Sequence, residues 1–344
     1  QKSSRIHATR ITQPAIFAVQ IGLVARLRAW GIEPEGVIGH SFGEVAAAYA
    51  IGALSLRDAA LCIYKRGRLS AQTEGKGAIA AVGLSVGAAR ALLDELDEDQ
   101  VEVAAVNGAN MVSLAGEKAA LDRVLAHLEA GGEVFCRRIK MSYAPHSFMM
   151  EEIKDEFLSS TMTLTPRAGD IPMISTVTGT AIGGQSLGAD YWWRNIRHAV
   201  LFKNGIDQAA RRGYNTFLEI GPHPTLAGLV STCLAESGKQ GAVIATLSRK
   251  EKDRDALDRA LGGLYVNGVA PDWLALGEGA YRRVELPRYP WELKDYYLKS
   301  EAMEEQLRRP PSHPLLGYRR IAANPTWEND ISLGHVPYLA DHKL

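Results

Sequence analysis

The chain has 344 residues, enough for two or three folding units, and 46% of them are hydrophobic against 23% charged, an ordinary balance for a water-soluble globular protein. Lys plus Arg equals Asp plus Glu at 39 each, so no global field draws it to nucleic acid or an anionic membrane, and no apolar run is long enough to cross a bilayer. Three separated cysteines, Cys62, Cys136 and Cys233, cannot build a disulfide framework or a zinc site, and a polar, basic start carries no signal peptide, so a reduced cytoplasmic protein is expected.

The first predicted element is a helix over 14–31, where Ile16, Val19, Leu23, Leu27 and Trp30 recur at spacings of three and four before Gly31. A short strand at Val37-Ile38 runs into Gly39-His40-Ser41-Phe42-Gly43, and an Ala-rich helix begins at Glu44. Ser55-Leu56-Arg57-Asp58 is a capping box that starts the next helix. Then comes an alternation: strand 79–84, helix 86–96, strands 101–106 and 111–115 about the Asn107-Gly108-Ala109-Asn110 turn, helix 117–128 and strand 134–141. The order β-α-β-β-α-β is that of a ferredoxin-like unit. It interrupts a larger α/β body, with later strands expected over 171–176 and 216–220. Residues 238–298 show few long periodic segments and read as a wrapping linker, and Arg308-Arg309-Pro310-Pro311 marks a sharper break.

Gly39-His40-Ser41-Phe42-Gly43 fits G-x-S-x-G between a strand and a helix. Flanking glycines permit the tight turn that exposes a serine hydroxyl, and the following helix and the Phe42 N–H are placed to stabilise an oxyanion. A serine needs a base. Among the histidines, His146 in Tyr143-Ala144-Pro145-His146-Ser147 stands where the inserted unit returns to the body; on position alone it is as readily a structural histidine as a base. His223, in Gly221-Pro222-His223-Pro224, reads as a turn residue, and no acidic third partner stands out. On the residues alone Arg66, flanked by Lys65 and Arg68, reads as part of a solvated helix face.

Thr12-Gln13-Pro14-Ala15, the Ser41 motif through Glu44, Lys65-Arg66-Gly67, the His146 pentapeptide, Tyr191-Trp192-Trp193-Arg194-Asn195 and Gly221-Pro222-His223-Pro224 occur in order. Together they resemble the acyltransferase domain of type I modular polyketide synthases, akin to malonyl-CoA:acyl-carrier-protein transacylases, over residues 1–298. The resemblance implies an α/β-hydrolase-like large subdomain (1–75 and 142–236), an inserted ferredoxin-like small subdomain (76–141) and a post-acyltransferase linker (237–310). It implies a Ser–His dyad in which Ser41 is acylated, His146 moves the proton, and Asn195 orients His146 through its backbone carbonyl. By the same match Arg66 pairs with the free carboxylate of an extender, and His40, Tyr143 and Pro145 line the acyl pocket.

The substrates implied are malonyl- or methylmalonyl-CoA and the phosphopantetheine thiol of an acyl carrier protein, with no bound cofactor or metal. Ketosynthase and dehydratase domains of the same polypeptide are the expected neighbours. In the family, His-Ala-Phe-His accompanies malonyl and Tyr-Ala-Ser-His methylmalonyl specificity; Tyr143-Ala144-Pro145-His146 shares the tyrosine of the second group, and the smaller Pro145 favours methylmalonyl. One departure is that the family's opening strand and Gly-Gln-Gly-rich loop do not occur before Thr12, so the chain is expected to be an internal fragment, weakly active by itself. His313-Pro314-Leu315-Leu316-Gly317 and Pro337-Tyr338-Leu339-Ala340-Asp341-His342 resemble the opening of a dehydratase, a truncated hot-dog stub over 311–344, with His342 at the catalytic position. The alternatives are an esterase or proofreading deacylase on the same nucleophile, and a catalytically dead scaffold fragment.

Overall fold

The fold is described from a computed structural model covering residues 6, 8–132, 134–277, 285–294, 300, 304, 310–320, 322–329, 331–334 and 337–341. The chain divides into two units, Gln1–Tyr281 and Arg282–Leu344.

The first unit opens with α1 (Thr9–Ala29), whose buried face carries Phe17, Leu23 and Leu27 together with one polar residue, Gln13. The helix starts ahead of the expected residue 14 and takes Pro14 into its interior. β1 (Val37–Ile38) leads to α2 (Gly43–Ala50), an Ala-rich helix buried on nearly every side, and α3 (Leu56–Ser70) follows. The Ser55 hydroxyl accepts from the Asp58 N–H, so the expected cap sets the start of α3. α3 packs closely on α1 at Gly67, where a Cβ would lie 3.4 Å from both Pro14 Cδ and the Thr9 carbonyl, at van der Waals contact.

Next come β2 (Gly77–Val82), α4 (Val86–Glu95), β3 (Val101–Gly108), β4 (Met111–Glu117), α5 (Lys118–Gly131) and the short β5 (Cys136–Arg138). Their strands form one antiparallel sheet in the order β3-β4-β2-β5. One face packs Ala80, Val82, Val112 and Leu114 against Leu93, Leu121 and Val124 of the two helices. The other face sets Ile79, Ala104 and Ala115 against Ala144, beside His146. A parallel bridge, Ala105 to Val200, ties β3 to the body.

The body continues through a 3₁₀ turn at Phe148–Ile153, α6 (Lys154–Thr161), β6 (Met173–Ile174), β7 (Ala181–Ile182), α7 (Ala189–Arg197) and α8 (Phe202–Arg211). β1 pairs with β6 in parallel, and β6 with β7 antiparallel. β8 (Thr216–Glu219), α9 (Ala227–Glu236), β9 (Ala242–Ala245), α10 (Asp253–Val266) and α11 (Trp273–Leu276) complete the unit. The stretch expected to be a linker with few periodic segments thus holds β9, paired in parallel with β8, and α10, whose Ala260, Leu261 and Leu264 pack on Leu27 of α1 and on Trp30, which caps that helix. In the second unit, β10 (Tyr318–Arg320) and β11 (Thr326–Glu328) form an antiparallel pair, and Pro337–Asp341 is a 3₁₀ turn. His342 lies outside the described residues. No described helix is long and apolar enough to cross a membrane.

Candidate active site

Ser41 stands between β1 and α2 with φ +54°, a left-handed conformation rare for a residue with a side chain. Gly39 makes that turn possible, since a Cβ there would fall 2.3 Å from the Glu44 nitrogen. The strained turn lifts the hydroxyl clear of the helix start, as in a nucleophile elbow. His146 also has a positive φ, +60°, and its Nε2 lies 2.7 Å from Ser41 Oγ.

The proton positions follow from the partners. His146 Nδ1 lies 3.0 Å from the His198 carbonyl, which can only accept, so Nδ1 carries the hydrogen and Nε2 presents a lone pair to the serine. Burial, then the nearby Arg66 charge, then His40 hold this imidazole well below its usual 6.5, against the opposing bond to His198. A neutral imidazole aimed at a serine hydroxyl can take its proton and return it.

Here the structure corrects one expectation. The carbonyl that orients His146 belongs to His198 and not to Asn195. Asn195 lies within α7, where its side chain points into the buried layer behind the elbow: Nδ2 donates to the Ser41 carbonyl at 3.1 Å and to Glu44 Oε2 at 2.8 Å. α7 ends at Arg197, so the chain leaves the helix at His198 and turns that carbonyl towards the imidazole.

Arg66 projects from α3 and is 3% exposed, which overturns the solvated-face reading. Its Nη2 donates to Ser41 Oγ at 3.0 Å and its Nη1 to Gln13 Oε1 at 3.0 Å, while Nε has no partner among the described residues. No carboxylate pairs with it among the described residues. Burial pulls the guanidinium below its ordinary value, yet arginine keeps its charge, so the pocket holds a cation with unfilled donor capacity. Gln13 Nε2 in turn donates to the Tyr143 hydroxyl at 3.3 Å, and the Phe42 ring lies 5.8 Å from the guanidinium carbon.

His40 faces the small sheet. Its Nε2 donates to Asn107 Oδ1 at 2.9 Å and its ring meets Phe202 edge-on, 5.1 Å between centroids. Pro145 is buried beside His146. His223 sits apart in its turn, where Nδ1 accepts the Arg249 N–H at 3.4 Å. Beneath the elbow, the fully buried Glu44 carboxylate accepts from the Tyr191 hydroxyl, from Asn195 and from both the N–H and hydroxyl of Thr176. Burial raises the Glu44 pKa, and these donors oppose the rise.

Gln13, Glu44, Asn107 and His198 were given no role at the site from the sequence, although Gln13 and Glu44 stand in the quoted motifs and Asn107 in the hairpin turn. Gln13 had a signal, as a polar residue on an otherwise apolar helix face. His198 had none, since any residue supplies a carbonyl. Among the described residues no group of His, Cys, Asp or Glu is arranged to hold a metal ion.

The acyl transferase domain family model matches residues 1–271. The chain is 36% identical over 306 residues to polyketide synthase GfsA of Streptomyces halstedii, covering 89% of this chain and 4% of that protein. It therefore spans a small fraction of the curated relative's length. Among solved structures, the acyltransferase domain from module 8 of the salinomycin polyketide synthase superposes with a TM-score of 0.76 at 34% identity, covering 80% of this chain and 64% of that one. The acyltransferase domain of SpnD, solved as a complex with 2-(pent-4-yn-1-yl)malonyl, superposes with a TM-score of 0.70 at 31% identity, covering 76% and 63%. With its motifs in order, its fold shared and the family model spanning most of its length, the chain belongs to the acyltransferase domains of type I polyketide synthases.

Proposed function

We propose that the chain transfers a carboxylated extender acyl group from CoA, through an ester on Ser41, to the phosphopantetheine thiol of an acyl carrier protein. The observation that carries the reading is the placement of Ser41 Oγ between a neutral imidazole and a buried cation that lacks a carboxylate. The malonyl-type group in the SpnD complex supports it by likeness. An esterase acting on neutral acyl groups has no use for a buried arginine at the nucleophile.

In the first half-reaction Ser41 Oγ attacks the thioester carbonyl as its proton passes to His146 Nε2. The Phe42 N–H, at the start of α2, donates to the oxyanion. The C–S bond breaks and the departing CoA sulfur takes the proton from His146. The second half runs in reverse order: His146 takes the proton of the carrier thiol, the sulfur attacks the Ser41 ester, and Ser41 regains its proton. His198 O holds the ring so that Nε2 faces the serine throughout. Arg66 releases Ser41 Oγ and binds the extender carboxylate with its two terminal nitrogens. On this reading the β2–β5 sheet with α4 and α5 would be a ferredoxin-like small subdomain, an assignment its β3-β4-β2-β5 order supports, and a dehydratase stub over 311–344 remains part of the proposal.

The test is incubation with malonyl-CoA and methylmalonyl-CoA followed by intact mass. The wild-type chain is expected to gain an acyl adduct that Ser41→Ala lacks and that added holo carrier protein discharges. An adduct persisting in Ser41→Ala, or one lost to water and not transferred to the carrier, would overturn the reading.

A further inference from the structure

His146 holds a left-handed backbone conformation that a β-carbon disfavours, so something must restrain it from outside. Two carbonyls do so directly: Ile196 O accepts the His146 N–H at 3.1 Å, and His198 O accepts Nδ1–H at 3.0 Å. Between them in the chain stands Arg197. Its side chain reaches the small sheet, where Nη1 and Nη2 grip both oxygens of Glu102 on β3 at 2.9 and 3.2 Å. Its Nε donates to Glu151 at 2.9 Å. Glu102 Oε2 also accepts the Phe148 N–H at 3.0 Å, two residues after the histidine. One carboxylate thereby fastens the segment that carries the imidazole and the segment whose carbonyls orient it.

The far end of the same strand holds the nucleophile's side. Asn107, five positions along β3 and so about 17 Å away, accepts from His40, next to Ser41. Between these two points Val106 N–H donates to Val200 O and Val200 N–H to Ala104 O, which fixes the strand to the body.

We propose that Glu102 is a positioning residue for His146, and that β3 serves as the strut that sets the Ser41–His146 separation from the small subdomain. The proposal rests on the acyl-transfer reading given above; acylation of the wild-type chain tests that reading separately, before any variant is compared. The Arg197 and Glu102 side chains are 18% and 36% exposed and line a groove of ≈ 530 Å³ that reaches His146, so salt has access to the pair.

The experiment measures the rate of Ser41 acylation by malonyl-CoA against substrate concentration, with thermal melting alongside. Glu102→Ala is expected to lower kcat on the order of 10²-fold, the usual penalty for a displaced catalytic group, with KM nearly unchanged. Glu102→Gln keeps one oxygen for the Phe148 N–H and Arg197 Nη1 but sets an NH2 donor against Nη2, so its rate is expected to fall between those of the wild type and the Ala variant. A wild-type rate in Glu102→Ala, a loss confined to KM, or a Gln variant as slow as the Ala variant would each overturn the proposal. Should Glu102→Ala fail to fold, Arg197→Lys keeps the charge and loses the two-pronged grip. A fall in kcat at unchanged KM then supports the strut, and wild-type kinetics overturns it.

Discussion

Arg66 Nη2 donates to Ser41 Oγ across 3.0 Å, so in this structure a buried cation and the His146 imidazole share the serine's oxygen. Serine oxygen has room for this: it donates to His146 and accepts from Arg66 at the same time. The guanidinium, however, has five donors and uses few of them. A carboxylate arriving on the substrate would fill the vacant capacity and free the serine oxygen for attack.

Arg66→Ala tests that exchange. A charge-assisted hydrogen bond is worth roughly 1.5–3 kcal/mol, so kcat/KM for malonyl-type thioesters should fall about 10- to 100-fold. Acetyl-CoA, which has no free carboxylate, should be used as well as before or better. Removing the buried charge favours the fold, while the cavity left behind and the lost donor to Gln13 Oε1 oppose it, so the melting curve is read beside the kinetics. Parallel kinetics on the two thioesters with a melting curve decide it, and equal losses on both would indicate a misfolded variant.

The pH dependence follows from the depressed His146. For a histidine whose folded pKa lies below its unfolded 6.5, the unfolded chain binds the extra proton. Stability therefore falls as pH drops below 6.5 towards the folded value, and above 6.5 this group contributes no pH dependence. The acid limb of the acylation rate should likewise lie well below 6.5. Since the Arg66 charge is one cause of the depression, Arg66→Ala should move that limb upward. A limb at the ordinary imidazole value in the wild type would show that His146 is more solvated than the structure has it.

Asn195 and Glu44 make a prediction about stability first and rate second. Asn195→Leu removes the donor to the Ser41 carbonyl and one of the donors to a carboxylate that cannot reach water. Leaving such groups short costs roughly 1–3 kcal/mol, so the melting temperature should drop by several degrees. The acylation rate of the folded fraction should fall too, because the elbow loses a support beneath its strained residue. Asn195→Asp should be worse than Asn195→Leu, since it sets a second acid against Glu44. Melting curves for the two variants side by side check the order.

What could be read from the sequence was what local chemistry encodes. The elbow was legible because Gly39 and Ser41 are adjacent to a strand and a helix, and the Ser55 cap because it acts on its own helix. Arg66 was misread on its residues alone, since Lys65 and Arg68 give it a solvated neighbourhood in the chain while α1 covers it in space; the family resemblance gave it a different part, pairing with an extender carboxylate, and the structure sets it 3.0 Å from Ser41 Oγ. The orienting carbonyl was placed three residues early, at Asn195, because a backbone acceptor leaves no mark in composition. The Glu102–Arg197 grip was invisible for a related reason: two ordinary surface-type residues meet across 95 positions. α10 could have been found, since Ala256, Ala260 and Leu264 recur at spacings of four. Gly262 and Gly263, poor helix formers in its interior, hid the pattern.

We propose that the choice of extender turns on Pro145. It is buried and precedes a histidine whose N–H is taken by Ile196 O, so neither residue can drift far to accommodate a larger neighbour. Proline is smaller than the phenylalanine that accompanies malonyl specificity in the family, and on this proposal it leaves space for an α-methyl group. Its ring also fixes φ near −65°, which limits how the wall can move. One methyl group in such a pocket discriminates by about 1–3 kcal/mol, a preference and not an exclusion. In a competition between the two thioesters, methylmalonyl-CoA should therefore acylate Ser41 ahead of malonyl-CoA, read as the ratio of adduct masses. Pro145→Phe should shift that ratio towards malonyl by filling the space beside the α-carbon. A wild-type preference for malonyl would reject the assignment, and a ratio unmoved by Pro145→Phe would show that the wall is set elsewhere, with Tyr143 and its bond to Gln13 the next place to look.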